Sequence, residues 1–191
     1  MARSYPSLIV GIGGSAGALQ AYKALLDAMS SNTNIALIIV SHMMPTASSE
    51  LAHILAKCTK MPVRVTSTAM QIHADHVYVI PPNADLHIEG YAFRVVSPRT
   101  RGNAQIDILL TSLAEAMGAR AVGVILSGYD GDGSKGCERI KAMGGATFAQ
   151  DRSAEVREMP LHAQRAGCID FVLPPDKIAV ELARLARAAK L

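Results

Sequence analysis

Three stretches of this chain carry side chains that could do chemistry together. The first is Gly11-Ile12-Gly13-Gly14-Ser15-Ala16-Gly17. Read from Gly13 it is GxSxG, a tight strand-to-helix turn in which small neighbours let a serine hydroxyl project while backbone N–H groups stand ready for an oxyanion. Read from Gly11 it is GxGxxA, a dinucleotide fingerprint, which asks for an acidic residue about 20 positions on to hold the ribose hydroxyls. The next strand ends instead in Ser41-His42, and the missing carboxylate weighs against a nucleotide. His42 reads either as an ordinary polar residue at a strand end or as a general base. The third stretch, Ser127-Gly128-Tyr129-Asp130-Gly131-Asp132-Gly133, reads either as a Gly/Asp turn with Asp132 capping the following helix or as the source of a carboxylate that orients His42. It lacks the ligand order and distal Glu of an EF-hand. Lys135 is not preceded by the Gly that a Walker loop requires. A serine at its free pKa is a weak nucleophile. A histidine that takes its proton, held in the useful tautomer by a carboxylate, makes it reactive. Ser15, His42 and Asp132 are therefore candidate nucleophile, base and orienting acid. Their order differs from the Ser, Asp/Glu, His of α/β-hydrolases, but triads recur on unrelated folds.

Such a site requires elements that bring three distant strand ends together. Short apolar runs alternate with amphipathic stretches, the pattern of a parallel sheet covered by helices on both faces. Leu8–Ile12 and Ile35–Val40 read as buried strands, with helices expected over Gly17–Met29 and Ala47–Cys58. Further on, helices are expected over Ile106–Met117, Ser134–Met143, Pro160–Ala166 and Asp176–Ala189. The intervening strands are Ala121–Leu126, Ala146–Ala149 and Ile169–Leu173. Between the two halves, Val63–Val65, His76–Ile80, Leu86–Ile88 and Phe93–Val96 alternate, which reads as hairpin strands with one wet face forming an antiparallel edge. The expected fold is α/β: a doubly wound, mostly parallel sheet with an antiparallel β-hairpin addition. Neighbouring parallel strands lie about 5 Å apart, so an imidazole at the end of the second can reach a serine at the end of the first.

The composition fits one domain. The 191 residues are 50% hydrophobic and 18% charged, against roughly 25% charged in an average soluble domain, which excludes disorder. A net charge of +3, with five Tyr, three Phe and no Trp, offers neither the basic patch nor the stacking platforms of a nucleic-acid binder. Three scattered cysteines, Cys58, Cys137 and Cys168, suit neither a disulfide frame nor a zinc site and fit a reducing compartment. No run approaches the ~20 apolar residues of a membrane span, and the first residues lack a signal peptide's pattern.

The combination of motifs resembles the catalytic domain of the CheB family, the chemotaxis protein-glutamate methylesterases. The likeness rests on Val10 through Ala18, Ser41-His42-Met43, Val77-Tyr78-Val79-Ile80-Pro81-Pro82, Ile125-Leu126-Ser127-Gly128 through Asp132-Gly133, and Met159-Pro160. To these are added Ala163, Ala166-Gly167, Ile169-Asp170 and Val172-Leu173-Pro174. The resemblance implies that Ser15 is the nucleophile, His42 the base and Asp132 the orienting acid, with backbone N–H groups of Ala16 and Tyr129 holding the oxyanion. It implies hydrolysis of glutamate γ-methyl esters on the cytoplasmic helices of chemoreceptors, with release of methanol, and deamidation of particular receptor glutamines. A cytoplasmic protein needing no metal or organic cofactor is expected.

Residues 1–191 are expected to be one catalytic domain, its core about 7–190, with no receiver domain before Leu8. The segments Arg101–Asp107 and Phe171–Pro175 resemble methylesterase domains fused to a methyltransferase, so a separate or fused regulatory or methyltransferase domain is an expected partner. Several positions depart from the family pattern. Tyr129 replaces Met, Ala16 replaces Thr and Glu158 replaces Gly, while Asp130 adds a second carboxylate and leaves open which of the two faces His42. The alternative reading is a receptor-binding or regulatory module of the same fold with weak or no turnover. Met43 and Met159 are candidates for lining a substrate cleft. His73 and His76 have HxxH spacing without further clustered ligands. Arg99 and Arg101 read as a solvated loop or as contacts to acidic receptor helices.

Overall fold

The structure is a computed structural model that describes residues 5–42 and 48–189. A run that is apolar at consecutive positions is stable as a strand only where both its faces are covered. The two such runs at the start of the chain, Leu8–Gly14 (β1) and Ile35–Ser41 (β2), pair in parallel at the middle of a seven-stranded sheet. The chain continues through α1 (Ala18–Ala28), which links them, α2 (Ser48–Leu55), β3 (Val63–Val65), β4 (His76–Val79), β5 (Asp85–Glu89) and β6 (Ala92–Val96). It then forms α3 (Gln105–Met117), β7 (Ala121–Ile125), α4 (Ser134–Ala142), β8 (Ala146–Gln150), α5 (Glu158–Arg165), β9 (Phe171–Leu173) and α6 (Pro175–Ala188). The sheet order is β3-β4-β2-β1-β7-β8-β9, with every pair parallel.

The alternation of side chains along each strand divides the core in two. Val10, Ile12, Leu37 and Ile39 pack with Tyr22 and Leu25 of α1, Leu55 of α2 and Leu182 of α6 on one face. Ile9, Ile38 and Val40 pack with Ile106, Leu110 and Leu113 of α3 and with residues of α4 and α5 on the other. The sheet is thus doubly wound, as expected. Its strand order reverses between β1 and β7, the position in open α/β sheets where the loops beyond the strand ends diverge and leave a crevice.

One detail of the expected sheet is corrected. Of the four alternating runs, only Asp85–Glu89 and Ala92–Val96 form the antiparallel hairpin, and this two-stranded sheet is separate from the main one. Its Leu86, Ile88 and Phe93 pack onto the α3 face. The other two runs, β3 and β4, are parallel strands of the main sheet, β4 lying between β2 and β3. The apparent wet face of β4 was a tyrosine: Tyr78 is fully buried, and its hydroxyl accepts the His73 N–H (2.9 Å) and donates to the Gln71 carbonyl (3.2 Å). A polar tip satisfied inside the protein reads in sequence like one facing water.

The glycines of β1 have a packing cause. A Cβ at Gly13 would stand 2.4 Å from Cγ2 of Ile106, and one at Gly11 would stand 2.5 Å from Cδ2 of Leu110. The two missing side chains let α3 lie directly on the strand. Gly13→Ala should therefore destabilise the fold by about 1–3 kcal/mol through overpacking, measured by urea denaturation. Ile106→Ala removes the atoms that a Cβ at Gly13 would meet, so the double variant should lose less stability than the sum of the two single variants.

Candidate active site

The register of the central strands sets the site. Gly14 of β1 is opposite Ser41 of β2, and the His42 N–H donates to the Gly14 carbonyl at 3.3 Å. On the other side the ladder runs past the end of β7: the Leu126 N–H donates to Gly13 (2.8 Å) and the Ser15 N–H donates to Ser127 (2.8 Å). Ser15, His42 and the loop from Leu126 to Gly133 therefore leave the sheet from three adjacent strands at the switch point.

The turn that carries Ser15 is held from the loop after β7. The Ser127 hydroxyl donates to the Ala16 carbonyl (2.7 Å) and accepts the Val156 N–H (2.9 Å). The Ser127 N–H donates to Oε1 of Gln150 (3.1 Å). Gly17 has φ +73, and a Cβ there would stand 2.8 Å from both the Ser127 hydroxyl and Cβ of Glu155. Both the backbone conformation and the close approach demand glycine. Below the serine, a Cβ at Gly128 would lie 3.1 Å from Cβ of Ser15 and 2.6 Å from Cε of Met159.

Asp132 is the most connected side chain of the site. Its side chain is 0% exposed. Oδ1 accepts the Asp107 N–H (2.9 Å), and Oδ2 accepts the Ile106 N–H (2.9 Å) and contacts Nε2 of His42 at 2.6 Å. The carboxylate thus occupies the N-terminus of α3, where unpaired N–H groups and the helix dipole favour an anion. Asp107 carries the linkage onward, since its Oδ1 accepts the Gly136 N–H of α4 at 2.8 Å.

The imidazole of His42 is 6% exposed and lies between two carboxylates. Nε2 donates to Asp132. Nδ1 is buried and 3.3 Å from Oδ2 of Asp130 without a hydrogen bond between them, a contact that becomes an ion pair only when the ring is protonated. Burial alone lowers the pKa of the ring. The hydrogen bond and charge of Asp132, joined by the charge of Asp130, outweigh burial and the opposing charge of Arg99, and the net direction is up from 6.5. Arg99 and His42 also line a small cleft of about 30 Å³ with Asn83 and Pro81. A larger cleft of about 230 Å³ opens beside Ser15, walled by Leu19, Tyr22, Leu51 and Ile54.

The structure gathers most of the expected residues and gives several of them definite surroundings. His42 and Asp132 are in contact, and Ser15 stands at the end of the neighbouring strand. Asp132 caps a helix, but α3 rather than the α4 it precedes. Tyr129 is 67% exposed, and Ala16 lies in the serine turn. Met159 is fully buried, and its N–H donates to the Gly128 carbonyl at 2.9 Å; there it backs the Gly128 turn instead of offering surface to a cleft. Met43 lies outside the described residues. His73 and His76 have ring centroids 5.6 Å apart, and no group of three or more candidate metal ligands occurs among the described residues. Sequence reasoning missed the tie made by Ser127 and the two N–H donors of α3, because a serine in a Gly/Asp turn and backbone amides carry no sequence signal. Arg99, expected as part of a solvated loop or as a contact to acidic receptor helices, lies close enough to His42 for its charge to act on the ring.

A doubly wound sheet with a serine on its first strand-to-helix turn and an acid-braced imidazole one strand away has an arrangement compatible with ester hydrolysis. More particularly, the chain belongs to the CheB methylesterase family, whose model matches residues 10–182. It is 32% identical over 186 residues to a putative protein-glutamate methylesterase/protein-glutamine glutaminase of Leptospira interrogans serogroup Icterohaemorrhagiae serovar copenhageni (strain Fiocruz L1-130), covering 95% of both chains. It is 32% identical over 183 residues to a protein-glutamate methylesterase/protein-glutamine glutaminase of Trichodesmium erythraeum (strain IMS101), covering 92% of this chain and 52% of that one. The crystal structure of the Thermotoga maritima CheB methylesterase catalytic domain superposes with a TM-score of 0.86 at 26% identity, covering 93% of this chain and 98% of the other. No helix among the described residues is long and apolar enough to cross a membrane.

Two outcomes follow from the dual attachment of Asp132. Asp132→Ala removes the acceptor for two helix N–H groups and should cost about 1–3 kcal/mol of stability by urea denaturation, with Asp132→Asn costing less. Because the folded-state pKa of His42 is raised, its protonation stabilises the fold below 6.5, and that contribution is lost as the pH climbs through the raised value. The stability difference between wild type and His42→Gln should accordingly shrink as the pH is raised from about 5 to 9.

Proposed function

We infer that this chain hydrolyses γ-methyl esters of glutamate on chemoreceptors, with Ser15 as nucleophile, His42 as general base and Asp132 as the acid that orients it. The observation that carries the reading is the 2.6 Å contact between Asp132 and Nε2 of His42 in a chain of the CheB methylesterase family. A carboxylate on Nε2 keeps the proton on that nitrogen and leaves Nδ1 with the free lone pair.

The reaction balances on these groups. Ser15 attacks the ester carbonyl carbon while its proton passes to Nδ1 of His42, and the carbonyl electron pair becomes an oxyanion facing the backbone N–H groups of Ala16 and Tyr129. The imidazolium returns its proton to methoxide as the carbon–oxygen bond breaks, releasing methanol and leaving an acyl-enzyme. Water then gives a proton to His42 and attacks the acyl carbon, and Ser15 leaves with the proton, freeing the glutamate. With a glutamine side chain the same sequence releases ammonia. The apolar walls beside Ser15 suit the methylene chain and methyl group of the substrate.

The substrate segments are the cytoplasmic helices of the receptors, which assigns the protein to the cytoplasm. Control falls to a separate or fused regulatory or methyltransferase domain. This chain spans about half of the Trichodesmium relative, so that protein has room for a further domain beside the matched part.

Ser15→Ala should lower methanol release from methylated receptor membranes by about 10³-fold or more, with an unchanged circular dichroism spectrum. Near-normal release would remove Ser15 from the mechanism. Asp132→Asn should cost far more rate than Asp130→Asn, and the opposite ranking would transfer the orienting role.

A further inference from the structure

The loop after β7 brings two carboxylates to one imidazole, and the triad uses only one of them. Asp130 is no accidental neighbour. Its Oδ1 accepts the Asp132 N–H at 3.1 Å, so the turn that places Asp132 also aims Asp130. Its Oδ2 is 3.3 Å from Nδ1 of His42, a buried atom with no hydrogen-bond partner among the described residues. We propose that Asp130 is a second positioning residue for His42, a carboxylate held 3.3 Å from the Nδ1 edge whose charge favours the ring while it carries the proton taken from Ser15 or from water.

The chemistry of the two ring states decides the direction. In neutral His42 with Nε2–H on Asp132, Nδ1 presents a lone pair, which repels a carboxylate oxygen. In the imidazolium, Nδ1 presents an N–H, which attracts it. Asp130 therefore favours the charged ring that forms in each half of the reaction, and it raises the pH at which the resting enzyme gives up its proton and becomes a base. The charged groups that face the ring are Asp132 and Asp130 from the loop after β7 and Arg99 from the segment between β6 and α3. Asp132 is fully buried, whereas the Asp130 side chain is 34% exposed and Arg99 is exposed, so salt should weaken the effects of both Asp130 and Arg99.

The inference rests on the esterase reading, and the experiment separates the two. Asp130→Asn keeps an amide oxygen to accept the Asp132 N–H, removes the charge and turns a neutral NH2 toward Nδ1. The His42 ring is titrated by NMR in the full chain, wild type and variant, alongside the pH profile of kcat/KM for methanol release. The expected result is that His42 titrates at lower pH in Asp130→Asn and that the acidic limb of kcat/KM moves with it. Below that limb the variant then turns over about threefold faster than wild type or more. Asp130→Glu should return both readouts toward wild type. An unchanged His42 titration overturns the proposal, as does a rate loss uniform across pH. A displaced titration in a protein that releases no methanol would support the ion pair and overturn the esterase reading instead.

Discussion

The carboxylate of Asp132 at the N-terminus of α3 is the contact on which the other parts of the site depend. One side chain accepts two helix N–H groups and holds a histidine. The helix fixes the carboxylate in place, and the carboxylate fixes the imidazole. A buried ionised group is costly unless donors surround it, and here they come mostly from backbone, which cannot rotate away. The orientation of His42 is thereby coupled to the docking of α3 on β1, and that docking depends on the bare surface of Gly11 and Gly13.

The same economy runs through the Ser15 turn. Ser127 links three segments with a single hydroxyl and its own N–H, joining the serine turn, the loop after β8 and Gln150. Gly17 and Gly128 clear space on either side of Ser15. A strand-to-helix turn with this many close approaches has few alternative conformations, and a serine held this way has little freedom left to lose in a reaction. The site lies where strand order reverses. There the loops from β1 and β7 part while their strands remain hydrogen-bonded, so adjacent strands deliver residues that are 117 positions apart in the chain, from Ser15 to Asp132.

Membership of the CheB methylesterase family gives this geometry a chemical purpose, and it also marks what is particular here. Family resemblance covers the serine turn, the histidine and Asp132. Asp130 reads in the sequence as an addition to that pattern, and the fold places it against Nδ1 of His42.

Much of the fold was legible in the residues because its signals are local. Buried strands announce themselves by unbroken apolar runs, helices by their spacing and glycine ends, and most element boundaries fall within three residues of expectation. Where local signals mislead, the cause is tertiary: Tyr78 looks polar although its hydroxyl is satisfied inside the protein, so β4 reads as an outer hairpin strand. The types and spacing of Ser15, His42 and Asp132 sufficed to nominate a nucleophile, a base and an acid, since reactive groups in glycine-rich turns are a property of the chain. Which ring nitrogen Asp132 takes, which helix it caps, that Met159 is buried and that Asp130 shares the histidine depend on how α3 and the β7 loop pack across β1. Those distances arise from residues far apart in sequence, and only the folded arrangement decides them.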